Sequence, residues 1–379
     1  MKGKKKYVYY FGDGKADGRG DMKNLLGGKG AGLAEMSHLG IPVPSGFTIT
    51  TEACLEFYRL NKQYPKGMWE ESLAALKKVE KSIGPKFGDP DNPLLVAVRS
   101  GARASMPGMM DTVLNLGLND DTIEGLIKRS NNARFAYDAY RRFVAMFGNV
   151  VLGVNRERFE RTLEEQKIVT GVHSDTELST DSLKKLVADF KEIVLKDTGK
   201  PFPEDPLVQL RLGIDAVFNS WHGKRAVTYR RLNNIPDTWG TAVSVVAMVF
   251  GNLGETSGTG VAFTRDPSTG KKKFFGEFLF NAQGEDVVAG IRTPLSIDAL
   301  KKRLPKAYSD LLNIYKKLEK HYRDMLDIEF TIQDGKLYML QSRIGKRTTA
   351  AALQIAVDMV KERLITQKIA ISRIDPHQL

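Results

Sequence analysis

The sequence predicts a mixed α/β, or α+β, protein built from more than one domain. Three observations support this prediction: strand and helix patterns alternate over the first hundred residues, helical patterns dominate residues 119–196, and short apolar runs separated by glycines follow. The 379 residues are enough for roughly two to three domains of ~100–200 residues each. The changes in pattern divide the chain into residues 1–118, an inserted helical subdomain at 119–199, a β-rich part at 200–346, and a helix with a linker at 347–379.

Composition and charge narrow the class of protein. Hydrophobic residues make up 42% and charged residues 27%, which excludes collagen-like and wholly disordered chains. No apolar run approaches the ~18–20 residues that a membrane span needs, and the basic N-terminus lacks the apolar core of a signal peptide. The single cysteine, Cys54, excludes a disulfide within the chain. We therefore expect a cytoplasmic protein without a membrane partner.

The net charge of +12 favours an anionic ligand. The basic residues are scattered in singles and pairs, and their densest cluster lies at Lys2–Lys6. No basic stripe interleaved with aromatic residues and no helix-turn-helix or zinc-finger spacing accompanies them. Phosphorylated small molecules are therefore better supported as ligands than nucleic acid.

The helices are predicted from apolar periodicity. A glycine turn leads into the first helix, which the prolines of Ile41–Pro44 end. We expect Ser182 or Asp181 to cap the helix that begins near residue 182. The predicted helices are Gly28–Leu39, Glu70–Ser82, Ala133–Phe147, Arg156–Gln166, Ser182–Leu195, Leu207–Arg225, Tyr308–Met325 and Ala350–Leu364.

The strands are predicted from short apolar runs between turn residues. The run Leu94–Val98 is uninterrupted and ends in Arg99, which indicates a buried strand with a charged residue at its tip. The clearest hairpin surrounds the turn Asp334–Gly335. The predicted strands are Tyr7–Phe11, Leu94–Val98, Thr241–Phe250, Gly260–Arg265, Lys273–Asn281, Ile328–Gln333 and Lys336–Arg343.

Two loops carry basic residues suited to phosphate. The glycine turn Gly27–Gly32 at a helix start offers backbone N–H groups, and Lys29 adds a mobile charge. It lacks both the Walker A and the GxGxxG spacing, so a structural turn explains it equally well. The loop Arg99–Asp111 follows the apolar strand, and arginine binds phosphate oxygens in a bidentate manner. Its methionines either pack or cover an adenine ring.

A third glycine-rich segment, Gly254–Gly260, lies between two predicted strands. Such a segment either wraps an anion with its backbone or simply turns the chain.

The C-terminal hairpin carries the strongest signal. Asp327 and Glu329 lie two residues apart on one strand and therefore face the same way, as Gln341 and Arg343 do on the next strand. Carboxylate and amide oxygens are the hard ligands that Mg²⁺ takes together with phosphate oxygens. A two-residue turn without a bulge would place Glu329 and Gln341 on opposite faces. We therefore predict a three-residue loop with a bulge at Gly335, pairing Asp327 with Gln341 and placing all four side chains on one face.

Four segments together resemble the nucleotide-binding domain of the pyruvate, phosphate dikinase family over essentially the whole chain. They are Gly27–Met36 (GGKGAGLAEM), Val98–Thr112 (VRSGARASMPGMMDT), Gly258–Pro267 (GTGVAFTRDP) and Tyr338–Arg343 (YMLQSR). The segment Ser105–Thr112 is similar to this family in particular, whereas phosphoenolpyruvate synthase and glucan, water dikinase differ there.

The resemblance implies an ATP-grasp fold, with two α/β lobes that hold ATP. It also implies that Mg-ATP donates its β,γ-pyrophosphoryl group to a histidine on a separate swivelling domain. Inorganic phosphate then removes one phosphoryl group as pyrophosphate, and a barrel domain transfers the other to pyruvate. The full reaction converts ATP, phosphate and pyruvate into AMP, pyrophosphate and phosphoenolpyruvate.

The resemblance also assigns residues. Glu329 and Gln341 would bind Mg²⁺, Asp327 would support them, and Arg343 would offset charge on the transferred group. Lys29 and Arg99 would hold nucleotide phosphates and take part in catalysis. The remaining implied nucleotide-binding residues are Gly108 and Met110, in the methionine loop, and Thr259 and Gly260, which would contribute phosphate contacts from a loop.

The chain departs from the family in one respect. None of its histidines lies in the family's phosphoacceptor motif: they are His38, His173, His222, His321 and His377. The phosphohistidine and pyruvate-binding barrel domains are absent from the sequence. We therefore expect part of a longer enzyme that binds Mg-ATP but does not form phosphoenolpyruvate alone. The isolated chain is expected to be a monomer, and the full enzyme a homodimer.

Two other interpretations remain open. The chain could belong to a phosphoenolpyruvate synthase-like enzyme, which uses water as the second acceptor. A phosphate requirement of the full-length protein would separate the two. From another class, it could be a basic module that binds nucleic acid or senses a nucleotide, in which case binding would depend steeply on salt.

Overall fold

The computed structural model describes residues 5–288 and 292–374, which fold into two compact units. The first contains the described residues up to His38 together with Ser45–Met248, and the second contains Leu39–Pro44 with the described residues from Val249 onward. The predicted boundaries at 118, 199 and 346 do not coincide with this division, so the four-part organisation stays a prediction. The start of the basic N-terminal cluster (1–4) and the end of the predicted linker (375–379) lie outside the described residues.

An antiparallel sheet organises the described part of the first unit. Its six strands have the order β2-β1-β3-β8-β6-β7, and β4 and β5 form a separate short parallel pair. The strands are β1 (Val8–Gly12), β2 (Lys15–Ala16), β3 (Gly46–Ile49), β4 (Lys86–Phe87), β5 (Pro93–Leu94), β6 (Val96–Gly101), β7 (Thr112–Leu116) and β8 (Ala242–Ala247). The central strands β3 and β8 are buried along their whole length.

Helices account for most of the remainder of this unit. They are α1 (Lys23–His38), α2 (Thr51–Arg59), α3 (Met68–Ile83), α4 (Thr122–Ser130), α5 (Ala133–Val150), α6 (Arg156–Thr170), α7 (Thr180–Thr198), α8 (Pro206–Ser220) and α9 (Lys224–Leu232). The predicted helical region 119–199 thus contains α4 to α7. The apolar stripes of α5 and α7 are buried, as amphipathic periodicity predicts.

Two details of the helix prediction are wrong. Helix α7 is capped by Ser179, whose side chain accepts a hydrogen bond from the N–H of Ser182, so Ser182 is the donor and not the cap. The predicted helix Leu207–Arg225 is broken after Ser220. The break buries Trp221 completely, and the guanidinium of Arg230 stacks over its ring with Cζ 4.0 Å from the ring centroid.

The described part of the second unit contains a five-stranded antiparallel sheet in the order β11-β10-β9-β12-β13. Its strands are β9 (Gly258–Phe263), β10 (Phe275–Phe280), β11 (Leu295–Ser296), β12 (Leu326–Gln333) and β13 (Lys336–Ile344). Its helices are α10 (Gly284–Val288), α11 (Asp298–Arg303), α12 (Pro305–Tyr322), α13 (Thr349–Lys361) and α14 (Gln367–Ser372). One sheet face is apolar, and there the stacked rings of Phe278 and Phe330 lie 5.9 Å apart.

Both large sheets are antiparallel, so the fold is of the α+β class. Within residues 5–288 and 292–374, no helix combines the length and apolar character that a membrane span requires.

Candidate functional site

The glycine turn of the first unit is shaped by close backbone packing. Gly27 has φ 66° and ψ 175° and interrupts α1. A Cβ atom at this position would lie 1.8 Å from the carbonyl oxygen of Gly101, at the end of β6. Only glycine fits, because any side chain would collide with that strand and would also disfavour the positive φ.

The same packing brings Lys29 and Arg99 to one face of the sheet. A Cβ on Gly30 would lie 2.6 Å from Oγ1 of Thr48, so α1 lies directly over β3. Thr48 pairs with Ser244, and Ser244 pairs with Arg99, which places these three side chains on the same sheet face. Cβ of Lys29 lies 3.6 Å from the Cβ position of Gly101, two residues beyond Arg99. The structure thus brings together the two basic residues that the sequence selects.

Two features of this region differ from the sequence-based expectation. The N–H of Gly28 donates to the carbonyl oxygen of Ala102 at 2.9 Å, so this amide of the turn is already used. The strand that carries Arg99 lies between antiparallel neighbours, so the rule for ligand sites at the ends of parallel strands does not apply. Part of the glycine motif therefore serves packing.

The methionine loop between β6 and β7 packs against Trp221. Met106 belongs to this buried cluster, and Met110 packs against it. Gly108 is exposed with φ 70°, and its carbonyl oxygen accepts a hydrogen bond from Arg225 at 3.3 Å. A contact of Gly108 or Met110 with adenine stays a prediction.

Arg225 also pairs with Asp111, at the end of this loop, at 3.2 Å. Burial raises the pKa of the Asp111 carboxyl, and the Arg225 charge opposes that shift.

The hairpin of the second unit confirms that the four selected side chains share a face. Glu329 lies directly opposite Gln341, and Asp327 lies directly opposite Arg343. Directly opposed residues of an antiparallel pair point to the same side of the sheet.

The predicted loop length and the predicted position of the bulge are wrong. Asp334 and Gly335 form a two-residue turn with φ 49° and 74°, as type I′ turns require, so there is no three-residue loop and no bulge at Gly335. The bulge lies inside β13: Phe330 pairs with Met339 and Glu329 with Gln341, which leaves Leu340 as the extra residue. Asp327 consequently pairs with Arg343 instead of Gln341.

Asp327 and Arg343 form an ion pair at one end of this face. Nε of Arg343 donates to Oδ2 of Asp327 at 2.7 Å, and Nη2 lies 2.7 Å from the same oxygen. Burial is the largest influence on Asp327 and raises the pKa of its carboxyl, with Glu329 adding to the shift and Arg343 opposing it. The Arg343 side chain remains 42% exposed, so a ligand can reach it.

Thr259 and Gly260 lie inside strand β9, so the expectation that they belong to a loop is wrong. The Thr259 hydroxyl is buried and donates to the carbonyl oxygen of Phe330 at 3.1 Å. A Cβ on Gly260 would lie 2.7 Å from the Phe330 ring. Both residues therefore pack the sheet, and their phosphate contacts stay a prediction.

Glu329 and Gln341 fit a magnesium ion. They provide a carboxylate and an amide oxygen from adjacent strands on the same face. Among the described residues, no group of three or more His, Cys, Asp or Glu side chains forms a metal site. Mg²⁺ is usually held by one or two carboxylates and completes its coordination with substrate phosphates and water.

Two further residues, to which the sequence assigned no specific role, lie in these two regions. Glu277 on β10 pairs with Val261, which pairs with Glu329, so both carboxylates lie on one face. The alternation of side chains between the two faces of the predicted strand Lys273–Asn281 was the sequence signal that could have identified Glu277. Arg103, the second arginine of its loop, donates from Nε to the carbonyl oxygen of Asn24 at 3.3 Å and so contacts the start of α1.

A family model described as "Pyruvate phosphate dikinase, AMP/ATP-binding domain" matches residues 23–80, 60–310 and 305–364. The match places the chain in the class of nucleotide-binding domains. More particularly, the chain belongs to the pyruvate phosphate dikinase AMP/ATP-binding domain family, which confirms the resemblance of the four motifs.

Curated relatives support this assignment. The chain is 55% identical over 375 residues to "Pyruvate, phosphate dikinase 1, chloroplastic" of Oryza sativa subsp. japonica and to "Pyruvate, phosphate dikinase" of Clostridium symbiosum. Each alignment covers 99% of this chain, but 40% of the rice protein and 42% of the Clostridium protein. The chain thus spans about two fifths of the length of these relatives. Because plant relatives are named chloroplastic, the cytoplasmic location stays a prediction.

Proposed function

We propose that this chain binds Mg-ATP in an ATP-grasp fold and donates the β,γ-pyrophosphoryl group of ATP to a histidine on another domain. Family membership supports nucleotide binding. The observation that carries the finer proposal is the hairpin register, which aligns Glu329 with Gln341 and Asp327 with Arg343 on one face.

In this proposal, Lys29 and Arg99 bind the phosphates of ATP. Arginine supplies a rigid fork of donors for phosphate oxygens, and lysine supplies a mobile point charge. Their common position on one sheet face supports joint binding to a single triphosphate.

Glu329 and Gln341 would hold Mg²⁺, with Asp327 beside them. When bound, the ion neutralises phosphate charge and links the nucleotide to the hairpin. Asp327 keeps the guanidinium of Arg343 at one end of the same face through their ion pair.

The transfer step needs positioning and charge stabilisation more than covalent chemistry from this chain. The acceptor histidine nitrogen bonds to the β-phosphorus, the bond from that phosphorus to the oxygen bridging α and β breaks, and its electron pair leaves on AMP. Arg343 would stabilise the negative charge that develops on the transferred group.

A single-turnover experiment tests this function. The chain is mixed with Mg²⁺, ATP labelled in the β-phosphate, and a phosphohistidine domain of the family supplied as a separate chain. We expect one AMP released for each labelled acceptor. Arg343→Ala should slow the transfer on the order of 10²–10³-fold, because it removes a donor aimed at developing charge. Arg156→Ala, at an exposed position of α6, serves as the control.

Two results would contradict the proposal. Formation of ADP instead of AMP would show that a single phosphoryl group moves. An unchanged transfer rate in Arg343→Ala would remove Arg343 from the reaction. In the full-length protein, we propose that phosphate is the second acceptor and phosphoenolpyruvate the product, and a turnover independent of phosphate would favour the water-dependent alternative.

A further inference from the structure

Helix α1 contains an interrupted hydrogen bond. In a continuous α-helix, the N–H of Gly28 would donate to the carbonyl oxygen of Asn24. The conformation of Gly27 removes Gly28 from the helical repeat, and the Gly28 N–H donates to the carbonyl oxygen of Ala102 at 2.9 Å instead. The Asn24 carbonyl oxygen therefore needs another donor.

Two other side chains provide donors for that carbonyl group. Nε of Arg103 donates to the Asn24 oxygen at 3.3 Å, and Oγ1 of Thr51 donates to it at 2.8 Å. Two consecutive residues therefore satisfy both groups of the interrupted bond. The backbone carbonyl of Ala102 accepts from the Gly28 N–H, and the side chain of Arg103 donates to the Asn24 carbonyl. Such pairing is required because unpaired backbone groups are costly away from water.

A second segment holds Arg103 in place. The Arg103 guanidinium lies over the ring of Trp239, with Cζ 5.0 Å from the ring centroid. Two residues further along, Oγ1 of Thr241 accepts a hydrogen bond from the N–H of Gly101 at 3.3 Å. Residues 239–241 therefore contact both ends of the Gly101–Arg103 segment. A planar guanidinium can stack on the indole while it donates from Nε, which a lysine ammonium cannot do.

We infer that Arg103 is a positioning residue that holds the glycine turn, and with it Lys29, against the end of β6, the strand that carries Arg99. Its Nε donates to the Asn24 carbonyl oxygen, which has no partner within the helix, and the Trp239 ring orients its guanidinium plane. The structural role of Arg103 does not depend on the proposed function. Its effect on Mg-ATP binding does, because that effect requires Lys29 to bind phosphate.

Two variants separate positioning from direct contact with phosphate. Arg103→Lys keeps the charge but loses the stacked planar donor. Trp239→Leu keeps Arg103 and its charge but removes the surface that orients it. Arg156→Lys on α6 is the matched control, because that arginine is exposed and distant in sequence from the turn. Circular dichroism establishes that each variant is folded, and Trp239→Leu remains as a test if Arg103→Lys does not fold.

The first readout is amide hydrogen exchange of residues 24–31 without nucleotide. We expect the Gly28 amide to exchange about tenfold faster in both variants, because the bond to Ala102 opens more often when Arg103 no longer holds the carbonyl of Asn24 and Thr51 is its remaining side-chain donor. The second readout is the dissociation constant of Mg-ATP. It should rise about tenfold in both variants, since a displaced Lys29 loses a charge-assisted contact. AMP binding should change little, because AMP lacks the β- and γ-phosphates.

The outcomes are distinct. Faster exchange with weaker Mg-ATP binding in both variants supports the inference. Unchanged exchange in both variants overturns it. Arg103→Lys could instead weaken Mg-ATP binding while amide exchange is unchanged in both variants and Trp239→Leu binds Mg-ATP like the wild type. In that case Arg103 binds phosphate directly, and the positioning role is refuted. If exchange accelerates but the wild-type chain binds no nucleotide, the positioning role stands and the proposed function fails.

Discussion

Asp327 combines a buried carboxyl with an exposed partner. Its carboxylate is enclosed by the sheet and bound by Arg343 at 2.7 Å, with Glu329 two residues away on the same face. Burial and the neighbouring negative charge favour the protonated form, and the guanidinium favours the ionised form. The protonation of Asp327 therefore reports directly on the position of Arg343.

We predict that the pKa of Asp327, measured by carboxyl carbon NMR, lies above its ordinary value of 3.8 and rises further in Arg343→Gln. The variant removes the charge that stabilises the carboxylate and leaves burial in place. Because the folded pKa exceeds the unfolded value, the stability contributed by this group is present at low pH and is lost as pH rises through the interval between them.

Asp266 provides an internal control in the same spectra. The backbone N–H groups of Thr269 and Ser268 hold the pKa of its carboxyl below the ordinary value, and the residue is partly exposed. It should not respond to Arg343→Gln. A pKa of Asp327 that does not change in Arg343→Gln would show that the ion pair does not form in solution. A wild-type pKa at or below 3.8 would show that the Arg343 charge outweighs burial, which contradicts the predicted direction.

At the scale of elements, the bulge at Leu340 determines which face of β13 carries the functional side chains. If the unchanged sequence paired with this two-residue turn and no bulge, Leu340 would lie opposite Glu329, and Gln341 and Arg343 would lie on the apolar face. The strand lies at the edge of its sheet, where a bulge is readily accommodated.

Two single-residue deletions test this role. Deleting Leu340 removes the bulge but keeps Gln341 and Arg343 on their present face, so we expect Mg-ATP binding to change by less than about threefold. Deleting Ser342 reverses the face of Arg343, and we expect binding to weaken by about tenfold or more, as loss of a charged contact does. Calorimetry with a non-hydrolysable ATP analogue measures both. Equal effects of the two deletions would contradict the account.

A buried charge cluster joins three elements of the second unit. Arg265, just beyond β9, is fully buried and pairs with Glu319 of α12 at 2.8 Å and with Glu362, the C-cap of α13, also at 2.8 Å. Lys272 adds a contact to Glu362 at 2.7 Å. Removing one partner of such a cluster leaves uncompensated charge in the interior.

We predict that Arg265→Met lowers the free energy of unfolding of this unit by about 3–5 kcal/mol, because Glu319 loses the buried cation with which it pairs. The double variant Arg265→Met, Glu319→Leu should recover much of the loss. Urea unfolding followed by far-UV circular dichroism measures the change. The tryptophans, all in the first unit, supply a fluorescence reference that should not move with these substitutions. A single variant as stable as the wild type would refute the prediction.

Local pattern predicted most elements but not their long-range pairing. The hairpin was predicted from its turn residues and the helix near Glu70–Ser82 from its apolar spacing, because both signals are local properties of the sequence. The bulge at Leu340 could not be predicted, because it is defined by the pairing of β12 with β13 and not by the local sequence of either strand. The shared face of Lys29 and Arg99 also required β8, a strand more than a hundred residues from either, to complete the first sheet.

At the scale of the whole molecule, the chain covers about two fifths of its curated relatives and carries none of its histidines in the family's phosphoacceptor motif. We predict that it forms no phosphoenolpyruvate from ATP, phosphate and pyruvate, because the proposed function places the acceptor histidine and the pyruvate site on other domains. A coupled assay for phosphoenolpyruvate checks this. Sustained product formation by the purified chain would contradict it.

The central claim is that Glu329 links the nucleotide to the hairpin through Mg²⁺. The most direct measurement is the dissociation constant of a non-hydrolysable ATP analogue, by calorimetry, with Mg²⁺ and with chelator, in the wild type and in Glu329→Gln. Glu192→Gln, on an exposed face of α7, is the matched control. We predict that Mg²⁺ strengthens binding about tenfold or more in the wild type and in the control, and that Glu329→Gln abolishes this gain. An equal gain from Mg²⁺ in Glu329→Gln would contradict the account.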